Sequence, residues 1–315
     1  MDHSKAFSMM TEVKHKTTEA DHRLMRQATY AAVTVAVLLI VMKSVSFYLT
    51  GSVAMLGTLT DSVLDGFASL LNLVAVRFSL TPADHEHRFG HGKAEALAGL
   101  GQSSFIFASS CFIIWQSVLH IIHPVPLENS MSGLIVIGTA LALTLLLVAF
   151  QRRVVARTGS LAIAADSVHY RGDLLMNLSA LAAIFISGFM GFHMADAIGG
   201  LFIASLIAFS AGQIAYSSYN QLMDAELNDV DRDRIIAIAK TNNAVVDIHD
   251  LKTRKSGMQV FIQFHLELDG SMSLSNAHII SDEVEASIMA AFPDAEVIIH
   301  QDPAGAELVP VASRI

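Results

Sequence analysis

Cysteine is almost missing from this chain: Cys111 stands alone, inside an apolar run. That excludes a disulfide framework and a cysteine-rich metal centre. Charge is scarce too, at 16% of residues, where a soluble domain carries about 25%. The formal net charge is −9 and the pI is about 5.8. No basic stripe dominates, so nucleic acid is not an expected partner. The N-terminus (MDHSKAFSMMTEVKHKTTEADHRLMRQ) has no apolar core and no small-residue cleavage site, and does not read as a signal peptide. No internal repeat is visible.

What the chain has instead is hydrophobic length, with 53% apolar residues. Residues 131–151 (MSGLIVIGTALALTLLLVAFQ) carry no charge at all. Six apolar segments emerge, at 28–50, 52–79, 95–122, 131–151, 160–190 and 194–219, each long enough for the ~20 residues of a spanning helix. Basic residues sort the connections. Arg77 ends the second segment with Arg88 and Lys93 beyond it, and Arg152, Arg153 and Arg157 follow the fourth. The links near 50–52, 123–130 and 188–194 have neither Lys nor Arg. Both termini and the basic links are therefore expected in the cytoplasm.

Beyond residue 220 the pattern changes. Residues 229–240 predict an amphipathic helix, 244–254 and 258–268 two strands joined at Ser256-Gly257, 274–292 a helix and 295–300 a short strand. The expected organisation is an N-terminal tail (1–24), a six-helix membrane domain (25–220), a small cytoplasmic αββαβ domain (221–303) and a disordered tail (304–315).

Four ionisable residues break the apolar segments. Asp61 and Asp65 lie in the second, His169 and Asp173 in the fifth, each pair spaced i, i+4 and so on one helix face. Asp at mid-bilayer costs roughly 2.5–3.5 kcal/mol on insertion scales, which makes such a residue a functional candidate. Each stripe extends further, to Ser69 and Asn72 on one helix and through Asp166 and Asn177 on the other. Two polar stripes in lipid should pack against each other. A structural polar seam is one outcome. A tetrahedral site of three carboxylates and one imidazole is the other. Such O/N donors suit Zn²⁺, Fe²⁺ or Mn²⁺ without the grip of thiolate, which favours release. Positive-inside topology makes the two helices antiparallel. It sets Asp65 and Asp173 at a common depth, about 12–15 residues from their cytoplasmic ends.

The segments TDSVLD (60–65), PADHEHRFGHGKAE (82–95), ADSVHYRGD (165–173), HDLKTRKSG (249–257) and VIIHQDP (297–303) resemble the cation diffusion facilitator family, in its bacterial zinc and ferrous-iron efflux branch. The resemblance spans most of residues 25–303. It implies a homodimer of six-helix protomers in the inner membrane, each with a ferredoxin-like α+β cytoplasmic domain. It implies alternating access that moves Zn²⁺, or Fe²⁺ or Cd²⁺, out of the cytoplasm against protons. Asp61, Asp65, His169 and Asp173 fall where the family binds the transported ion.

Three further groups match family positions. The loop cluster Asp84, His87 and His91 stands, on its residues alone, evenly between a solvated polar turn and a metal site. The resemblance implies a second site there, with His85 as a local addition able to compete. His249, His265, His278 and His300 with Asp302 are individually ordinary histidines and an acid. The resemblance implies a two-metal site where the subunits' cytoplasmic domains meet, with Asp302 able to bridge. Lys93 and Asp224 match a charge interlock at the membrane surface, and are otherwise two solvated interfacial charges. Asp166 is a candidate acceptor for His169, Lys43 a snorkelling or paired lysine, and Arg171 has no evident partner.

The expected function is divalent-metal/proton antiport, regulated by cytoplasmic metal, and not an enzymatic activity. An intramembrane metal-dependent hydrolase would need an open metal position and a general base, often on an HExxH helix, and none is present. A membrane metal sensor is disfavoured because no output module is read after residue 303.

Overall fold

The computed structural model describes residues 3–50, 53–122, 134–190 and 194–305. Most of the expected disordered tail (304–315), and most of the charge-poor links expected at 50–52, 123–130 and 188–194, lie outside the described residues. Six long helices come first: α1 (His3–Thr50), α2 (Val53–Ser79), α3 (Lys93–Ile122), α4 (Leu134–Thr158), α5 (Leu161–Met190) and α6 (Ala195–Leu222). Two compact units result, Glu19–Leu222 and Met223–Ile315 with Met1–Thr18.

Among the described residues, α1, α2, α3, α4 and α6 contain stretches long and apolar enough to cross a membrane. Six segments were expected to qualify. The remaining one, α5, is a 30-residue helix whose first half holds Asp166, His169, Arg171 and Asp173. Lipid offers the backbone no hydrogen bonds, so each apolar segment must satisfy its own amides as helix. The outward residues are correspondingly large and apolar: Phe67, Leu146, Phe202 and Phe209 are all exposed.

Small residues bring these helices together. On α3 the buried face runs Glu95, Ala96, Gly99, Ser103, Ile106, Ser110 and Ser117, a stripe at helical spacing. It packs on α6, whose buried residues include Ala204, Ile207, Ala208, Ala211 and Ser218. A Cβ at Gly99 would lie 2.8 Å from Ser218 Oγ and 3.3 Å from the Leu161 backbone. Glycine there permits a close three-helix approach that van der Waals packing in a bilayer needs.

The second unit is built from α7 (Asp229–Ala239), β1 (Asp247–Ser256), β2 (Gln259–Leu268), α8 (Leu274–Ala291) and β3 (Ala295–Pro303). Asn228 caps α7 by accepting from the Asp231 amide, and Ser273 caps α8 by accepting from Asn276. The sheet order is β1-β2-β3, with β1 antiparallel and β3 parallel to β2. Ile262, Phe264, Leu266 and Leu268 alternate onto one face of β2. There they pack with Ile235 and Ala239 of α7 and with Val284 and Ile288 of α8. This is the expected αββαβ order, and the fold is a helical membrane domain with a small α+β domain.

Two strands, β1 and β3, differ from expectation in their limits. Strand β1 starts at Asp247, not 244, because Asn242 takes the amides of Ala244 and Val245 into a turn. It runs on to Ser256, and the hairpin turns at Gly257, whose φ of 60° suits glycine. Strand β3 extends to Pro303, which an edge strand tolerates because the missing N–H faces no partner.

Candidate metal centres

Helices α2 and α5 are cross-linked in antiparallel register. Asn72 donates to the Ala162 carbonyl (3.3 Å), Ser69 contacts the Tyr170 hydroxyl (2.8 Å) and Asp65 meets His169. From Asn72 through Ser69 to Asp65 on α2, the partners Ala162, Asp166 (3.5 Å from Ser69) and His169 rise in number along α5, which is the opposed packing expected of two polar stripes. At the Asp65 level, His169 Nε2 lies 2.9 Å from Asp65 Oδ1 and 3.8 Å from Asp173 Oδ2. These three residues each offer a donor atom within 4.8 Å of the others'. A carboxylate can only accept, so Nε2 carries the proton in the short contact.

Asp61 does not join them. It is exposed, one turn along α2, and the polar cross-links between α2 and α5 among the described residues end at Asp65. The structure thus assembles three of the four residues expected to hold the ion.

Asp166 also differs from expectation. Its carboxylate, 1% exposed, does not orient His169. It accepts from Gln151 Nε2 of α4 (2.6 Å), Gln102 Nε2 of α3 (3.1 Å) and Ser69 Oγ of α2 (3.5 Å). One buried acid therefore joins four helices, a turn away from the His169 cluster. Lys43 of α1 is a paired lysine, donating to Ser62 Oγ (2.6 Å) and to the Thr58 carbonyl (3.0 Å). Arg171 is half-buried and has no ion-pair partner among the described residues.

The second cluster lies in the loop between α2 and α3. Asp84 Oδ1 accepts from the amides of Glu86 (2.9 Å) and His87 (2.6 Å), folding the loop over its own side chain. The His87 amide bond, helped by the Glu86 amide and the nearby imidazoles, holds the Asp84 carboxyl below the usual range against the opposing effect of desolvation. His87 Nδ1 is 3.4 Å and His91 Nε2 3.3 Å from this carboxylate. His91 is buried, edge-on to Phe78, with Nδ1 3.3 Å from the Thr81 carbonyl. A carbonyl only accepts, so that bond fixes the proton on Nδ1 and leaves the Nε2 lone pair facing Asp84 and His87. His85, expected as a possible competitor, is outside the group.

The third cluster is written into the sheet register. His249 pairs with His265, His265 with His300, and Glu267 with Asp302. Strand parity turns these residues to the face opposite the α7–α8 core. Asp302 Oδ2 lies 2.7 Å from His265 Nδ1 and 3.4 Å from His249 Nε2, while its Oδ1 lies 3.2 Å from His300 Nε2. A single carboxylate thus addresses two separate histidine sets. Burial works to raise Asp302. The His265 hydrogen bond and the potential of His265, His300 and His249 outweigh it and hold the carboxyl low. Both ring nitrogens of His249 are buried, 3.2 and 3.4 Å from the Glu267 and Asp302 carboxylates, and neither makes a hydrogen bond. In a neutral imidazole one of these nitrogens carries a lone pair, and an unengaged lone pair among acids fits a bound divalent cation. His278 stands apart on α8, largely exposed and paired with Asp282 at 3.5 Å. A histidine on the helix side cannot reach the opposite face of its own sheet, so it does not join the cluster in one chain.

Lys93 and Asp224 fall in different units. Lys93 donates to the Leu222 carbonyl at 3.4 Å, and Asp224 pairs with Arg254, which stacks over Phe261. Sequence inspection missed Gln102, Gln151, Thr81 and Glu267. The two glutamines could have been flagged as amides inside or at the end of apolar runs.

Residues 29–223 match the cation efflux transmembrane domain and residues 227–304 the cytoplasmic domain of cation efflux proteins. The chain belongs to the cation diffusion facilitator family. It is 45% identical over 280 residues to the cation-efflux pump FieF of Shewanella oneidensis, covering 89% of this chain and 94% of that one. It is 46% identical over 281 residues to FieF of Escherichia coli, with 89% and 93% covered. The metal-bound C-terminal domain of the CzcD transporter from Thermotoga maritima is 27% identical. It covers 26% of this chain and 100% of that domain, at a TM-score of 0.25. This cation diffusion facilitator is accordingly a membrane-embedded metal-efflux transporter and not an enzyme.

Proposed function

We propose that the chain exports Zn²⁺, with Fe²⁺ and Cd²⁺ as further cargo, from the cytoplasm in exchange for protons by alternating access. The observation that carries this reading is His169 Nε2 between Asp65 and Asp173, at 2.9 and 3.8 Å. The nitrogen that would take the ion is the one that now needs a proton to bond Asp65. Loading metal therefore displaces that proton, and protonation expels metal. Two carboxylates and an imidazole bind a borderline divalent cation without thiolate, which suits a site that must let go. Asp61, one turn away, completes the tetrahedral Asp61–Asp65–His169–Asp173 set when α2 and α5 tighten around the cargo.

In this reading the protein works as a homodimer in the bacterial inner membrane, both termini cytoplasmic, with a helical domain over 25–220 and a metal-binding domain over 221–303. Asp84, His87 and His91 form the loop site. His249, His265, His300 and Asp302 hold regulatory metal, with His278 contributing across the dimer and Lys93 and Asp224 serving as a charge interlock at the membrane surface. The bilayer, protons and metal are its other partners. The basic links after α2 and α4, against charge-poor links elsewhere, support the orientation.

The test is flux in proteoliposomes across a panel of Zn²⁺, Fe²⁺, Cd²⁺ and Mn²⁺, with and without a pH gradient. Zn²⁺ flux should require the gradient and should vanish in Asp65→Ala and Asp173→Ala. Proton-coupled flux surviving either substitution would overturn the site assignment.

A further inference from the structure

Away from the metal centres, a cavity of about 360 Å³ opens between α1 and the last turn of α2. It is lined by Arg23, Arg26, Gln27, Tyr30 and Arg77. Positions 23, 26, 27 and 30 share one face of α1, so the two arginines, the amide and the phenol all point to one side. No acidic residue lines the cavity, and none of the three guanidinium groups has a carboxylate partner among the described residues. The nearby acid Asp21 is committed to Arg157. Three like charges around one hollow repel each other unless an anion sits between them.

The surroundings say which kind of anion. The face of α1 that carries Tyr30 continues as Val37, Val41 and Val45, all exposed. The face of α2 that carries Arg77 continues as Val74, Leu70, Phe67 and Val63, exposed likewise. A charged hollow thus heads two apolar stripes on neighbouring helices, which approach each other where Gly66 meets Ala36 and Ile40. A soluble anion has no use for the stripes. An amphiphile with a phosphate head and acyl tails uses both.

We propose that the α1–α2 hollow is a binding site for the head group of an anionic phospholipid. Arg23, Arg26 and Arg77 bond the phosphate oxygens in the forked geometry of guanidinium, Gln27 and Tyr30 add neutral donors, and the tails lie along the two stripes. Basic side chains between helices at a membrane surface are suited to this, because their stems stay apolar while their heads meet the head-group layer.

The test is thermal unfolding of the full chain in a neutral detergent, titrated with phosphatidylglycerol, phosphatidylcholine or inorganic phosphate. Phosphatidylglycerol should raise the Tm saturably, while the other two should not. The variant Arg23→Gln/Arg26→Gln/Arg77→Gln should need roughly 100-fold more phosphatidylglycerol for half its effect, about fivefold per arginine. An equal response in that variant overturns the proposal. So does an equal response to phosphatidylcholine, which would mean lipid without head-group recognition. The same shift with inorganic phosphate overturns the lipid and assigns the hollow to a soluble anion. If the triple variant does not fold, Arg77→Gln alone decides: a shift of about fivefold supports the site, and no shift overturns it.

Discussion

Gln151 of α4 donates a 2.6 Å hydrogen bond to Asp166 of α5, and both side chains are 1% exposed. Two helices adjacent in sequence are thereby joined by their polar side chains at a depth where water cannot substitute. Gln102 and Ser69 bring two more helices to the same carboxylate.

Removing Gln151 should therefore cost stability before it costs transport. In Gln151→Leu a buried carboxylate loses its shortest donor, at about 1–3 kcal/mol. Gln102→Leu, whose bond is longer, should cost less. Chemical unfolding in detergent checks both. If Gln151→Leu is as stable as the parent, the knot is not structural.

The four intramembrane residues should not be equivalent. Asp65→Asn, His169→Ala and Asp173→Asn each remove a member of the assembled trio and should abolish saturable Zn²⁺ binding in the membrane domain. Asp61→Asn should stay within about tenfold of the parent affinity, or roughly 1.4 kcal/mol. Calorimetric titration would show this, and a loss in Asp61→Asn equal to that in Asp65→Asn would contradict the ranking.

The loop cluster separates two neighbouring histidines. His91 is oriented by the Thr81 carbonyl and faces Asp84, while His85 is outside the group. His91→Ala should lower the bound-metal stoichiometry by one ion per chain. His85→Ala should leave it unchanged. Elemental analysis after dialysis distinguishes these outcomes.

The cytoplasmic sheet should show an acid limb that depends on Asp302. Its carboxyl is held below the unfolded value of about 3.9, so its contribution is present above that pH. It is lost as pH falls through the lower, folded value. Denaturant unfolding of residues 223–315, metal-free, should weaken across this window. Asp302→Asn should lower stability at neutral pH and flatten that limb. An unchanged slope in the variant would place the acid sensitivity elsewhere.

The spans, their opposed order and the strand–helix alternation were legible in the sequence because each rests on local periodicity. Apolar runs set helix lengths, and the alternation through 258–268 sets Phe264 and Leu266 on the face opposite His265. What pairs with what was less legible. Asp166 shares a stripe with His169, so the one-dimensional pattern offered His169 as its partner. The glutamines that hold it come from α3 and α4, and only tertiary packing delivers them. His278 joins the other histidines only through the family resemblance, and its helix lies on the other side of the sheet. Asp61 shares a face with Asp65, but a common face does not guarantee a common depth of contact. The Asn242 turn shortened β1 through side-chain bonds that a strand pattern does not encode.

The His249–His265–His300 row has a meaning for assembly as well as for metal. Its ligands come from three strands in one register, and β3 arrives only after the α8 crossover. Sliding β3 by one residue would turn His300 and Asp302 toward the helices and dissolve the cluster. A cation held there would discriminate the correctly threaded sheet from its nearest misthreaded neighbour, and so would act as a check on the folding of the chain that binds it.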